Sequence, residues 1–151
     1  MTKLLPLLAA ALLLAAGTLY ADDAEDAAVK TVERLGGTVS RDEADPAHPV
    51  VGVSLAFVPA TDAQLKGLSA LKRLRALDLT LSQATDKGMN VVAGLDGLET
   101  LYLGYTDVTD AGLKRLAELK KLRQLNLIGT QVTDEGVAEF QKALPDCKIT
   151  R

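Results

Sequence analysis

The sequence has one Cys, one His and no Trp. A single Cys cannot close an internal disulfide, and one His with one Cys cannot cage a zinc ion unless several carboxylates join them. Ser40, Ser54, Ser69 and Ser82 lie in no nucleophile-elbow motif, and any triad would depend on the lone His48. No glycine loop of the phosphate-cradling kind is present. These shortages argue against an enzyme, because a nucleophile, a base and an orienting group cannot be assembled together. No catalytic residue, cofactor or metal ligand set is expected. Positive charge is not in excess: 17 Lys+Arg stand against 20 Asp+Glu, a net −3. A nucleic-acid partner is therefore not expected. The hydrophobic share of 48% excludes wholesale disorder, and a chain of 151 residues suits one domain of ordinary size.

There is one long apolar run, Leu4 to Ala16, and it follows Met1, Thr2 and Lys3. Small residues come next, and charge begins at Asp22. A weakly positive start, a short apolar core and a small-residue exit read as a secretory signal peptide over residues 1–21. Ala21 suits the last position before cleavage, although Leu19 is larger than usual; cleavage after Gly17 is the alternative. The other alternative is a retained anchor, but the run is shorter than the ~18 residues of a spanning helix. No Cys near the exit offers a lipid attachment point. With the segment removed, the expectation is a protein with no membrane span in a periplasmic or extracellular compartment. It would hold its fold by packing alone, with no structural disulfide.

Beyond residue 50 the chain repeats. Thr-Asp recurs at Thr61-Asp62, Thr85-Asp86, Thr109-Asp110 and Thr133-Asp134, 24 residues apart each time. The same frame precedes each pair: Val50, Val53, Leu55 and Ala60; Leu74, Leu77, Leu79 and Ala84; Leu98, Leu101, Leu103 and Val108; Leu122, Leu125, Leu127 and Val132. The unit is LxxLxLxxTxVTDxGLxxLxxLxx. Its first half alternates, as in Leu77 and Leu79, which is strand spacing. Its second half moves to helical spacing, as in Leu65, Leu68 and Leu71, or Leu113, Leu116 and Leu119. The Thr is a natural helix N-cap and the Asp suits the positive end of the helix dipole. Thr61 to Gln64 has a capping-box pattern. Gly88, Gly112 and Gly136 keep one position small for close packing, and Gln64 takes that place in the first unit. One strand and one helix in 24 residues cannot bury their own apolar faces, so the copies must stack.

These units resemble the leucine-rich repeat family, in its T-D-x-G-L form, from about Val50 to Ile149. The resemblance implies an α/β, ribonuclease-inhibitor-like solenoid with parallel strands on the concave face and helices on the convex face. The family's ladder of buried Asn after the strand is missing. Ser82, Thr106 and Thr130 stand there, whose hydroxyls can satisfy turn amides. Val58 cannot, so the first turn should be arranged differently.

Open solenoid ends expose core and strand edges, so caps are expected. Residues 22–49 read as an N-terminal cap and residues 50–151 as the repeat domain, with about four units and a terminal strand. In the cap, residues 23–35 form an amphipathic helix with Ala28, Val32 and Leu35 on one stripe, stopped by Gly36-Gly37. Thr38 to Arg41 suits a short strand, followed by a polar loop closed by Pro46 and Pro49. At the far end, Leu144 to Ile149 reads as a last strand. If two residues are missing ahead of it, Cys147 falls on a core-facing leucine position.

Function is expected on the concave face. Phe57, Tyr102 and Tyr105 fall between the strand leucines, and they are three of the four aromatics left after residue 21. Phe57, Leu81 and Tyr105 share one register, so strands ~5 Å apart would set them in a row. Such an apolar row reads as a binding patch for a protein partner, with Tyr102 beside it and Asp78, Gln124 and Asn126 as polar contacts. The alternative is that these bulky side chains only pack on one another. A second functional alternative is a structural role, packing laterally or within an envelope assembly. The monomer is the expected state. Residues 22–49 hold 8 acidic and 3 basic residues, whereas basic residues gather in and after the helices, as in Lys72, Arg73 and Arg75 or Lys120, Lys121 and Arg123. These fit an ordinary solvated face better than an anionic partner. His48 reads as a loop histidine and Cys147 as a buried strand thiol.

Overall fold

The computed structural model describes residues 23–151; the segment 1–21, read from the sequence as a signal peptide, lies outside the described residues. The chain opens with α1, helical over 23–34, whose Ala28 and Val32 are buried. It ends at Gly36, where φ is 92° and the left-handed turn needs a residue without Cβ. At Gly37 a Cβ would sit 2.6 Å from the Ser54 carbonyl oxygen, so glycine lets the chain cross this close. The strands are β1 (Thr38–Arg41), β2 (Val50–Ser54), β3 (Ala76–Asp78), β4 (Thr100–Tyr102), β5 (Gln124–Asn126) and β6 (Lys148–Thr150). They form one sheet in chain order. β1 pairs antiparallel with β2, and every later pair is parallel.

The parallel register is the repeat made visible. Val53, Leu77, Leu101, Leu125 and Ile149 stand opposite one another across five strands. All point into one apolar core that runs without a break from Ala28 in the cap to Cys147. The alternation of the sequence puts the intervening residues on the opposite, open face. A second, shorter parallel contact follows each turn, between Thr61 and Gln83, Thr85 and Asp107, and Thr109 and Gln131.

The helical halves are uneven. α2 (Asp62–Leu65) is four residues and continues as a 3-10 turn over Lys66–Ala70; α3 (Met89–Val92) is also four. α4 (Asp110–Leu116) has seven and α5 (Asp134–Ala143) ten. Composition explains the difference. Gly67 interrupts the first unit, and the second runs Gly88-Met89-Asn90-Val91-Val92-Ala93-Gly94. The last two carry the helix formers Lys114-Arg115-Leu116-Ala117-Glu118 and Glu139-Phe140-Gln141-Lys142-Ala143.

The Thr-Asp pair joins neighbouring units, which the dipole argument did not anticipate. Asp62 accepts from the backbone N–H of Thr85 at 2.8 Å and from its hydroxyl at 2.6 Å. Asp86 does the same for Thr109, at 2.8 and 2.7 Å, and Asp110 for Thr133, at 2.8 and 2.7 Å. Each Thr also caps its own helical turn, its hydroxyl accepting from Lys87, Ala111 or Gly136 N–H. A Cβ on Gly88, Gly112 or Gly136 would collide with the Asp of the preceding unit, so the glycine is the space that carboxylate occupies. The first unit has no Asp before it. There Gln64, in the glycine's place, accepts from the Thr61 N–H at 2.7 Å and does the same job from within. At the other end Asp134 has no following Thr and pairs with Arg151.

One local expectation is refined and one is corrected. The first turn closes like the others but leaves differently: Ala60 N–H donates to the Val58 carbonyl at 2.7 Å, where in the second unit Ala84 N–H donates to the Ser82 hydroxyl at 3.3 Å. Val58 N–H donates to the Leu55 carbonyl at 3.2 Å, as Ser82 does to Leu79, Thr106 to Leu103 and Thr130 to Leu127. The backbone alone closes the turn. The hydroxyls of Thr106 and Thr130 donate to those same carbonyls at 2.7 Å instead of serving amides. In the terminal strand, Ile149 rather than Cys147 pairs with Leu125, a full 24-residue step. Leu144 and Cys147 occupy the places of Leu119 and Leu122, since Cys147 N–H donates to Leu144 as Leu122 N–H does to Leu119. The extra residue before Leu144 is recovered in the following loop, so no gap is needed. Cys147 is buried there, and burial pushes its thiol pKa up.

Cap and repeats are tied by charge as well as by core. Glu25 Oε1 accepts from Val50 N–H at 3.1 Å and from Arg41 Nη1 at 3.0 Å. Asp45 meets Arg73 at 2.9 Å and Asp42 meets Arg75 at 3.8 Å. Part of the basic cluster seen in the sequence is therefore neutralised by the cap's own acidic loop.

Candidate functional site

The open face of the sheet carries two rows of side chains. One runs Gly52, Ala76, Thr100, Gln124 and Lys148; the other runs Ser54, Asp78, Tyr102, Asn126 and Thr150. In the second row most polar groups brace the strand end. Asp78 Oδ1 accepts from Thr80 N–H at 2.9 Å, Asn126 Oδ1 from Ile128 N–H at 2.9 Å, and Ser54 Oγ from Ala56 N–H at 3.4 Å. These are short-range turns of the kind Asx and Ser side chains make. Tyr102 stands in the same register and cannot do this. The residue is 36% exposed, and it walls two hollows. The one toward β1, of about 240 Å³, is lined by Thr38, Ser40, Gly52, Ser54, Ala76 and Asp78 as well as Tyr102. The one toward β6, of about 220 Å³, is lined by Gln124, Asn126, Lys148 and Thr150 on the other side of the ring.

Phe57, Leu81 and Tyr105 lie elsewhere. Each comes three residues after a strand end, in the turn, and none lines either hollow. Their N–H groups extend the ladder into the next unit, Phe57 to Thr80, Leu81 to Gly104 and Tyr105 to Ile128. Their backbone lies in the left-handed region, with φ of 62°, 58° and 57°. In the fourth unit the position is Gly129, φ 68°, and the ring of Tyr105 lies over it: a Cβ there would be 2.5 Å from the ring. The three side chains are 76%, 47% and 59% exposed. The seven residues picked out in the sequence thus divide into a floor set (Asp78, Tyr102, Gln124, Asn126) and a rim set (Phe57, Leu81, Tyr105). Sequence reasoning put all seven on one surface. The positive φ that moves three of them to the rim has no signal in the residue types, since Phe, Leu and Tyr are poor occupants of that region. The same reasoning missed Lys148, Ser40 and Thr38, which join the floor only through pairing of the end strands.

Away from the floor, two carboxyls are held low by contacts within the fold. Hydrogen bonds from the Thr133 hydroxyl and backbone hold the Asp110 carboxyl below the usual carboxylate range. A backbone bond from Ala47, with help from Arg73, does the same for Asp45. His48 lies 3.6 Å from Glu43 in the exposed cap loop. Among the described residues no cluster of His, Cys, Asp and Glu is placed to hold a metal ion. No described helix is long and apolar enough to cross a membrane.

The repeat geometry defines a class of protein, an open solenoid of strand-and-helix units whose repeat strands form a parallel sheet. The family model described as Leucine Rich repeat matches residues 98–117 and 118–140. Over those residues the chain carries leucine-rich repeats, and the family's unit is the one its other repeats resemble. Such domains are typically protein-binding. Similar solved structures include an internalin C2 of Listeria monocytogenes, 30% identical with a TM-score of 0.46, over 56% of this chain and 34% of that one. A leucine-rich repeat protein of Leptospira interrogans is 24% identical, TM-score 0.45, over 57% and 21% of the two chains. Leiomodin-1 actin-binding site 2 is 16% identical, TM-score 0.53, over 78% and 72%. The match spans about a fifth to a third of the two bacterial proteins' length. No curated protein matches the sequence.

Proposed function

We propose that the protein is a non-catalytic protein-binding module that works in an exported compartment through its concave floor and the adjoining rim. One observation carries this reading. Three successive units place a bulky apolar residue, exposed, in left-handed backbone where the fourth unit uses glycine. Each such placement costs about 1 kcal/mol or more and returns little burial. Stability does not account for paying it three times; a partner that covers the row does. Phe57, Leu81 and Tyr105 are the apolar anchors, Tyr102 the ring on the floor, and Asp78, Gln124 and Asn126 the polar contacts. The residue types of the chain support a non-catalytic role, and the first 21 residues support export.

The test is affinity capture from the native envelope fraction, comparing the wild-type protein with a Tyr102→Ala/Tyr105→Ala variant. Capture of the same partner should fall by tenfold or more while circular dichroism stays unchanged. Equal capture removes the reading. Mass analysis of the mature N-terminus tests export, with cleavage after Ala21 or Gly17 expected. The structural alternative has one feature in its favour: β1 and β6 are the edges of the described sheet and each pairs on one side only. Sedimentation analysis separates the two, since lateral packing requires concentration-dependent association and the binding module is a monomer.

A further inference from the structure

The two hollows flanking Tyr102 differ in charge. The hollow toward β1 has one ionisable acid, Asp78, among hydroxyls and small residues. The hollow toward β6 has one base, Lys148, among amides and a hydroxyl. Neither Asp78 nor Lys148 enters an ion pair among the described residues, although the cap and the connections are laced with them. Asp78 uses Oδ1 on the Thr80 N–H, which leaves Oδ2 for another donor. Its neighbour in the row is the Tyr102 ring. A carboxylate beside an aromatic face, over a floor of Gly52 and Ala76, suits a planar cation, which can stack on the ring and donate to the acid. Lys148 with Gln124 and Asn126 suits a carboxylate.

We propose that the concave floor receives an extended segment of a partner protein, laid across the strands over Tyr102. An arginine of that segment enters the hollow of Asp78 and a carboxylate enters the hollow of Lys148. This rests on the reading of the concave face as the binding surface and names the partner chemistry it selects. The spacing follows from the sheet. Asp78 is on β3 and Lys148 on β6, three strand steps or about 14 Å apart across the sheet; Lys148 lies one row over, about 7 Å along the strand, an offset that its long side chain can span. An extended chain rises ~3.3 Å per residue, so the two partner side chains stand about four residues apart, on one face of the segment.

The probe is a short acetylated and amidated Ser/Thr peptide carrying Arg and Asp four positions apart, titrated into the isotope-labelled full-length protein and followed by NMR. Shifts should gather on Ser40, Asp78, Tyr102, Gln124 and Lys148 and saturate. Peptides with Arg or Asp alone should bind about tenfold more weakly. Asp78→Asn is the informative variant, because Asn126 shows that Asn braces this turn equally well. It should lower affinity for the Arg/Asp peptide about tenfold and leave the Asp-only peptide unaffected. Lys148→Gln should do the converse. Absence of shifts on the floor, or affinities that ignore both variants, overturns the proposal. If Tyr102→Ala still abolishes capture of the native partner while Asp78→Asn and Lys148→Gln do not weaken it, the binding surface stands and the charge selection falls.

Discussion

Asp86 and Asp134 occupy the same place in the same motif, but only Asp86 is followed by another unit. This is an internal control for where the stability of the stack resides. Asp86 accepts three hydrogen bonds from the next unit, from Thr109 N–H at 2.8 Å, Thr109 Oγ1 at 2.7 Å and Gly112 N–H at 3.0 Å. A hydrogen bond to a half-buried carboxylate is worth ~1 kcal/mol net or somewhat more. Asp86→Ala should therefore cost about 2–4 kcal/mol. At about 2–4 °C per kcal/mol for a chain of this size, melting falls by roughly 4–16 °C. Asp134 meets only the exposed Arg151. Asp134→Ala should cost under ~1 kcal/mol, an exposed ion pair and a helix-end charge. Thermal and urea unfolding of both variants, followed by far-UV circular dichroism, decide the matter. Equal losses would refute the inter-unit clasp and return the aspartate to its sequence-level role of charging its own helix end.

The remaining predictions concern other parts of the fold. Gly112→Ala pushes a methyl into Asp86 and to 3.0 Å from Val108, and should destabilise by about 1–3 kcal/mol in urea titration. Phe57→Gly relieves left-handed strain at a 76% exposed position, so stability should hold within ~1 kcal/mol, whereas Leu79→Ala in the core should cost about 2–5 kcal/mol. The Asp110 and Asp45 carboxyls titrate lower when folded than when unfolded. In that window the unfolded chain binds more protons, so their stabilisation is complete above about pH 4 and is lost as pH falls through the folded values. An acid titration of melting temperature should show this, and Asp110→Asn should flatten it. Cys147 should react slowly with a thiol reagent in the native protein and rapidly in denaturant, because burial raises its pKa and blocks access.

The 24-residue period alone determined the strand register, the helix positions and most of the core. Repetition forces each strand to meet its copy, and alternation decides which side faces in. It also placed Asp78, Tyr102, Gln124 and Asn126 on the open floor, since they share the strand alternation. Val53, Leu77, Leu101 and Leu125 could be read off as one ladder for the same reason. The role of the Thr-Asp-x-Gly stretch could not, because its hydrogen bonds run from one unit to the next. Within a single unit the aspartate looks like a dipole partner and the glycine merely small. Only the stacked fold shows them as one contact, with Gln64 replacing it where no unit precedes. The rim was likewise decided by tertiary structure. In the stacked turns Phe57, Leu81 and Tyr105 lie at positive φ, against the preference of those residue types, and their N–H groups donate to the next unit. Periodicity reports which way a side chain points along a regular element; the placement of a turn residue depends on the backbone conformation that its turn adopts, which side-chain alternation does not encode.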